Sequence, residues 1–193
     1  MPVLLKERNN SRRGDHFKST INYCKVKDEY DIIEYEKALY DAFMDRNPNN
    51  WLVKNYELID NCRFKSKIQY KDQGVYIVKK NKKIVMGIAI NYNMNRLLQL
   101  EEIGFEICKS DEICEGLLFF SNEKELKGEN FFIIVSKLFN LAKNDFYKKK
   151  IKRVFSTCSK NLLNMYQLFD FFPIQKKITC NNEEKYLLCC VIV

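Results

Sequence analysis

The segment from Ile113 to Pro173 decides the fold. It opens with an apolar run, ICEGLLFFS (Ile113–Ser121), and continues into a polar loop with one glycine, NEKELKGEN (Asn122–Asn130). Because a loop between a buried strand and a helix N-terminus presents unpaired N–H groups to an anion, this loop is predicted to hold phosphate. After the loop, the hydrophobic spacing predicts a helix, a strand, a helix and a strand: Phe131–Lys149, Ile151–Thr157, Asn161–Phe171 and a strand that opens at Pro173.

Weaker patterns on either side of this segment predict the remaining elements. Residues 1–19 are polar and basic and are predicted to form a flexible tail, in front of a single domain over residues 20–193. The interleaving of strands and helices predicts an α/β fold, in which helices cover both faces of a mixed central sheet. The expected elements are a strand (Ile21–Val26), two helices (Asp28–Asp45 and Trp51–Ile59), a hairpin (Val75–Lys79 with Ile84–Tyr92), a weakly alternating strand (Arg96–Cys108) and a last strand (Tyr186–Val193).

Composition narrows the class of protein. The chain is 46% apolar and 30% charged, which is typical of a globular domain, and no apolar run approaches the roughly 18 residues of a membrane span. The N-terminus does not resemble a secretory signal, so a cytoplasmic protein is expected. The eight cysteines form no CxxC pair and the only histidine, His16, lies in the tail, which argues against a metal site or a disulfide framework. The net charge of +8 comes from dispersed lysines, which suit CoA phosphates or an acidic carrier protein and argue against nucleic-acid binding.

The order of elements resembles the GCN5-related N-acetyltransferase superfamily over nearly the whole chain after the tail. The most specific match is NMYQLFDF (Asn164–Phe171), which is similar to the family's Leu-Tyr-x-x-x-Gly-Phe segment, with Asp170 at the glycine position. The resemblance implies a sheet that splays between its fourth and fifth strands. It also implies transfer of an acyl group from acetyl-CoA or acyl-CoA to an amine, on a small molecule or a protein, without a metal.

The phosphate loop departs from the family pattern. The family has Gln or Arg, two residues, Gly, one residue, and Gly or Ala, whereas this chain has Glu125 at the first position, Gly128 at the glycine and Asn130 at the last. The resemblance includes a subgroup that tolerates such a loop, the acyl-homoserine-lactone and long-chain N-acyl amino acid synthases, which take their acyl group from acyl carrier protein, whose phosphopantetheine has no adenosine diphosphate to hold. A carrier's phosphopantetheine is therefore an alternative donor, and a non-catalytic protein of this fold that binds a partner is a further alternative.

The resemblance also implies roles for particular residues. Tyr166 is the expected proton donor to the departing sulfur, and Glu115 the expected base for the amine. Backbone N–H groups of the fourth strand are expected to polarise the thioester carbonyl. Each residue also has a structural alternative, as a core, turn or surface position. The donor side is assigned to Leu118, Phe119, Phe120, Lys127, Gly128, Glu129, Asn130 and Asn161, and the acceptor side to Arg63, as a carboxylate ligand, and Glu102, which would share a strand face with Glu106.

Overall fold

The structure is a computed structural model that describes residues 20–44, 55–122, 124–179 and 182–193. The tail predicted over residues 1–19 lies outside these ranges. Two 3₁₀ turns, Tyr70–Asp72 and Lys160–Leu162, accompany the helices and strands. In chain order, the elements of the described residues are β1 (Ile21–Lys25), α1 (Glu29–Met44), β2 (Tyr56–Ile59), β3 (Arg63–Ser66), β4 (Gln73–Lys80), β5 (Lys83–Asn91), α2 (Gln99–Glu102), β6 (Ile113–Ser121), α3 (Phe131–Lys148), β7 (Arg153–Ser159), α4 (Leu163–Gln167), β8 (Phe172–Ile178) and β9 (Glu184–Val191).

Seven strands form one mixed sheet in the order β1-β4-β5-β6-β7-β9-β8. β6 and β7 run parallel, as a strand–helix–strand crossover requires, and every other pair in this sheet is antiparallel. The strands β2 and β3 form a separate hairpin. The predicted mixed α/β architecture is confirmed.

Helices cover both faces of the sheet because its central strands bury side chains on both sides. On β4, Val78 packs in one cluster with Leu138 of α3, while its neighbour Ile77 packs in a second cluster with Leu39 of α1. All four side chains are fully buried. Side chains alternate along a strand, so consecutive apolar residues such as these serve two cores at once.

The helix predicted over Trp51–Ile59 is wrong where the structure can be compared. Residues 51–54 lie outside the described ranges, and Tyr56–Ile59 form β2, which pairs with β3. Three residues connect the strands, and two of them, Asp60 and Asn61, have positive φ, 49° and 51°. The N–H of Cys62 donates to the carbonyl oxygen of Ile59 at 3.1 Å and closes the turn. Asp-Asn, two residues that tolerate positive φ, was therefore the local signal for a hairpin.

The strand predicted over Arg96–Cys108 is also wrong. The segment instead contains the one-turn helix α2, where the Glu101 carboxylate accepts a hydrogen bond from the N–H of Leu98 at 2.8 Å. Leu98, Leu100 and Phe105 are buried against one end of the sheet. Because the segment is not extended, Glu102 and Glu106 do not share a strand face.

The predicted helix over Asn161–Phe171 is shorter in the structure. The 3₁₀ turn Lys160–Leu162 leads into α4, which ends at Gln167. Asp170 then adopts φ 62°, the left-handed region that favours glycine. This is the position at which the similar family has its glycine, so the aspartate keeps the turn and β8 can begin at Phe172.

Candidate active site at the splayed strands

The central feature of the site is the gap between β6 and β7. The two strands have nine and seven residues, yet they pair only through Ile113–Arg153, Cys114–Val154 and Glu115–Phe155. Beyond Glu115 this edge of β6 faces no partner strand, so its backbone groups line the gap. The predicted splay between the fourth and fifth strands of the family corresponds to this gap and is confirmed.

A β-bulge lies where the gap begins. Ala89 of β5 lies opposite Leu118 and Ile90 lies opposite Gly116, which leaves Leu117 without an opposing residue. A bulge of this kind re-aims the backbone and side chains next to it. After the bulge, Leu118 and Phe119 both border a cavity at the gap, and Leu118 also packs with Phe120 on the other face of the sheet, where the Phe120 ring lies 5.8 Å from that of Tyr35.

The cavity is apolar and has three sides. Its floor is the sheet face under α3, its mouth is the gap, and its roof consists of aromatic rings from α3, α4 and the turn before β8. The lining residues are Ile88, Ala89, Ile90 and Val154 on the floor, Gly116, Leu118, Phe119 and Ser156 at the gap, and Phe139, Tyr166 and Phe171 in the roof.

Tyr166 and Ser156 are the polar side chains of this cavity. The Ser156 hydroxyl donates to the carbonyl oxygen of Gly116 at 3.2 Å, across the point where the strands separate. Burial and, to a lesser degree, the nearby Cys158 raise the pKa of Tyr166 to about 12, although a hydrogen bond with Ser156 opposes the rise. The phenol therefore stays protonated at neutral pH. Sequence analysis missed Ser156, although it is a polar residue between the apolar positions Val154 and Cys158 of a strand face.

Glu115 lies on the opposite face of the sheet from the cavity. It pairs with Phe155, whose neighbours Val154 and Ser156 line the cavity, and side chains alternate along β7. The carboxylate is 1% exposed and accepts hydrogen bonds from Asn91 Nδ2 at 3.2 Å and from the N–H of Leu100 at 3.0 Å. Burial raises its pKa, and these hydrogen bonds oppose the rise. Glu115 thus ties α2 to the sheet at the last paired residue before the gap.

The predicted phosphate loop leads into α3 close to the cavity. Gly128 has φ 86°, and a Cβ placed there would contact nothing within 4 Å, so the backbone conformation alone requires glycine. Asn130 caps the helix, its Oδ1 accepting from the N–H of Ile133 at 3.1 Å. The rings of Phe119 and Phe131 lie 6.3 Å apart, which joins the rim of the cavity to the first turn of α3.

The acidic residues of this loop pair with lysines of the β4–β5 hairpin. Glu125 lies 2.8 Å from Lys83 Nζ, and Glu129 lies 3.0 Å from Lys80 Nζ. The pKa of Glu125 is lowered by its hydrogen bond and charge interaction with Lys83. Lys127 is exposed. The charge that departs from the family pattern is therefore compensated within the protein, and the N-terminal end of α3 keeps its attraction for anions.

The other predicted site residues lie apart from the cavity. Arg63 contacts two carboxylates, Glu36 at 3.4 Å and Asp60 at 3.6 Å, beside α1. Glu102 is the exposed last residue of α2, and Asn161 lies in the 3₁₀ turn after β7, where its Oδ1 accepts from the Ser159 hydroxyl. The structure thus brings Tyr166, Leu118 and Phe119 together at the cavity. The loop that contains Lys127, Gly128, Glu129 and Asn130 lies at the N-terminal end of α3, the helix whose Phe139 lines the same cavity.

Comparison with solved structures identifies the fold. The chain is similar to the AHL synthase LasI, with a TM-score of 0.69 and 13% identity over 91% of this chain and 90% of that one. It is similar to BjaI, a CoA-dependent acyl-homoserine lactone synthase solved with SAM and isopentyl-CoA, with a TM-score of 0.66 and 12% identity over 91% and 84% of the two chains. A probable acetyltransferase from Staphylococcus epidermidis matches with a TM-score of 0.60 and 11% identity over 90% and 100%.

The chain therefore has the GCN5-related N-acetyltransferase fold, as its sequence predicted. No known protein family matches the sequence, and no curated protein matches it. The part of the chain that the structure describes contains no group of three or more His, Cys, Asp or Glu side chains that could hold a metal ion. Within that same part, no helix is long and apolar enough to cross a membrane.

Gly116→Ala tests whether the gap must stay open. A Cβ at Gly116 would lie 3.2 Å from both Cβ and Oγ of Ser156 and 3.5 Å from the carbonyl oxygen of Phe155. We expect the added methyl group to displace Ser156 and narrow the mouth of the cavity, lowering the free energy of unfolding by about 1–3 kcal/mol. Donor affinity should fall with it, measured by titration with an acyl thioester.

Ser156→Ala is the control, because it removes the hydroxyl but adds no atom. If both variants lose the same affinity, the hydrogen bond rather than the open space is what matters. Unchanged affinity for the thioester in Gly116→Ala would contradict the expectation that the donor enters the cavity through the gap.

Proposed function

We propose that this protein is an N-acyltransferase that moves an acyl group from a thioester to an amine by direct attack. The observation that carries the proposal is the cavity at the gap between β6 and β7, where a protonated phenol meets unpaired strand backbone. A thioester carbonyl seated there has N–H donors on one side and a donor for its sulfur on the other.

The loop before α3 is the proposed binding site for the donor's phosphate. It supplies the N-terminal end of an 18-residue helix, the backbone around Gly128 and the exposed Lys127. Phosphate binding at a helix N-terminus needs no side chain of its own. Both acetyl-CoA or acyl-CoA and the phosphopantetheine of an acyl carrier protein present phosphate in this way, and both remain candidates for the donor.

The proposed reaction forms one C–N bond and breaks one C–S bond. The amine attacks the thioester carbonyl, whose oxygen gains negative charge that the gap-facing backbone N–H of the Leu118–Phe119 segment stabilises. The intermediate then expels the thiolate. Because the pKa of Tyr166 is about 12 and that of a free thiol is about 8.5, the phenol stabilises the leaving sulfur by a hydrogen bond rather than by complete proton transfer.

The acceptor is proposed to approach from the face opposite the donor. Glu115 lies on that face at the start of the gap, and burial raises its pKa, which suits a carboxylate that takes a proton from an ammonium group. Its side chain is 1% exposed, so the proton would reach it through a short relay or a small movement of α2. Arg63 is already paired with Glu36 and Asp60, and we do not assign it to the acceptor.

A homoserine-lactone-type synthase is the second candidate. The specific observation in its favour is that LasI and BjaI match with TM-scores of 0.69 and 0.66, against 0.60 for the staphylococcal acetyltransferase. BjaI was solved with SAM, so S-adenosylmethionine is the acceptor to test for this candidate.

A cytoplasmic location is proposed on the state of the thiols. The seven described cysteines are all free, and three of them, Cys114, Cys158 and Cys190, are buried. Free thiols are the rule in a reducing compartment.

The proposal is tested by amine-dependent release of thiol from acetyl-CoA and from acetyl-pantetheine. The acceptors to supply are amino acids, polyamines, N-terminal peptides and S-adenosylmethionine, each alone. We expect at least one acceptor to accelerate thiol release, with the acylated amine detected by mass spectrometry. If no thioester raises the melting temperature and no amine accelerates release, the fold serves partner binding instead of catalysis.

A further inference from the structure

We propose that the group this protein transfers is a short acyl chain, and that Phe139 and Phe171 set its length. The inference rests on the proposed acyltransferase function and goes beyond it, because it names the class of donor. The cavity at the gap has a volume of about 20 Å³. A space of ~10–15 Å³ by this measure holds one water molecule, so the cavity holds little more than one methyl-sized group, which suits the end of a short acyl chain.

The roof of the cavity is closed by rings that pack on one another. Phe171 is 4% exposed, and its ring centre lies 5.9 Å from that of Phe139 and 5.6 Å from that of Tyr166. Phe139 in turn stacks on Phe169 at 5.4 Å. Aromatic rings at these distances support one another, so the roof is a packed wall and not a loose flap.

The floor is equally closed. Ile88, Ile90 and Val154 are each no more than 3% exposed, and they face α3 across the cavity. Branched side chains in a close-packed core have few alternative rotamers, and inserting further methylene groups among them strains the core. Unless these side chains move, a chain of eight carbons does not fit between this floor and the rings above it.

Phe139 is the side chain whose removal should lengthen the accepted chain. It lies on α3, contacts both Phe169 and Phe171, and is only partly buried, so a smaller residue opens the cavity without emptying a fully buried position. Phe171 is buried and packs against Tyr166, which makes it the poorer choice for substitution.

The test measures affinity for acyl-pantetheine thioesters of two, four, eight and twelve carbons by calorimetric titration. Pantetheine thioesters lack the adenosine diphosphate, so the comparison reports the acyl end alone and needs no acceptor amine. We expect wild-type protein to bind the acetyl thioester at least about tenfold more tightly than the octanoyl thioester. In Phe139→Ala, and to a lesser degree in Phe139→Leu, this preference should shrink by at least about tenfold.

Phe146→Ala is the matched control. Phe146 lies on the same helix and is 2% exposed, but its ring packs on Tyr92 and does not line the cavity. It should lose stability and keep the preference for short chains. A wild-type preference for eight or twelve carbons overturns the length limit while leaving the acyltransferase proposal in place, and an unchanged profile in Phe139→Ala overturns the role of this ring. Absence of binding at every chain length, both for these thioesters and for the acyl-CoA thioesters that also carry the phosphates, overturns both proposals.

Discussion

Replacing Tyr166 with phenylalanine should lower kcat for thioester-dependent amine acylation by about 10²–10³-fold. The variant loses the hydroxyl that is proposed to stabilise the leaving sulfur, together with its hydrogen bond to Ser156, while the ring keeps its 5.6 Å edge contact with Phe171. We therefore expect the melting temperature to stay within a few degrees of the wild type. Steady-state kinetics on an acyl thioester, with the acceptor at saturation, measure the effect.

Donor affinity separates a chemical role of Tyr166 from a binding role. If the hydroxyl acts in the transition state, kcat falls and the Kd for the thioester stays nearly constant. Tyr147→Phe is the control. It also removes a tyrosine hydroxyl, which donates to the carbonyl oxygen of Val193, but it lies in the last turn of α3 and does not line the cavity. A Tyr166→Phe enzyme with wild-type kcat would rule out this role for the phenol.

Glu115→Gln should reduce kcat/KM by about 10²-fold or more if the carboxylate accepts the proton of the amine. Glutamine keeps the shape of the side chain, and its amide oxygen can still accept from the N–H of Leu100, which keeps the anchor of α2, while its NH2 group loses the hydrogen bond from Asn91 Nδ2. The acidic limb of the pH–rate profile, which reports deprotonation of Glu115, should disappear in the variant. A variant that keeps full activity would show that Glu115 only ties α2 to the sheet.

The difference in stability between Glu115→Gln and the wild type should also change with pH, in a direction that the pKa of Glu115 fixes. Burial raises the folded-state pKa of Glu115 above its ordinary value, so the folded chain holds this proton to a higher pH than the unfolded chain does. Its contribution to stability is complete below the ordinary pKa and is lost as pH rises through the raised one. Urea unfolding across that range should therefore show Glu115→Gln gaining stability relative to the wild type as pH increases.

For Glu101→Gln, on α2, the difference in stability from the wild type should change with pH in the opposite direction. The pKa of Glu101 is lowered by hydrogen bonds from the N–H of Leu98 and from Lys109. Its contribution is present above the ordinary pKa and is lost as pH falls through the lowered one. If the two variants changed with pH in the same direction, the assignment of the Glu115 shift to burial would be wrong.

Much of the fold was predictable because it follows from local periodicity. The strand ICEGLLFFS is apolar at nearly every position, and α3 repeats apolar residues at helical spacing, so β6 and α3 appear in the structure almost at their predicted bounds. The errors lie in short elements. Tyr56–Ile59 and the segment after Arg96 have too few residues for a period to show, and a turn at Asp60-Asn61 and a buried carboxylate decide their structure instead.

The site was predictable only where a single motif carries it. The segment around Tyr166 and the glycine of the loop stand where the similar family has them. Ser156 and Gly116 carry no such signal, because their importance comes from being neighbours across two strands that are 40 residues apart in the chain. The charges of Glu125 and Glu129 were visible in the sequence, but their pairing with Lys83 and Lys80 depends on the hairpin lying beside the loop.

The sequence was enough to place the long elements, such as β6 and α3, since the spacing of apolar side chains over many residues has to match the repeat of each element. It also determined the turn conformations at Gly128 and Asp170, which are local properties of the backbone. The tertiary structure alone decided the width of the gap, the side of the sheet on which Glu115 lies and the volume of the cavity. These depend on register and on packing between residues far apart in the chain, and one bulge at Leu117 is enough to change them.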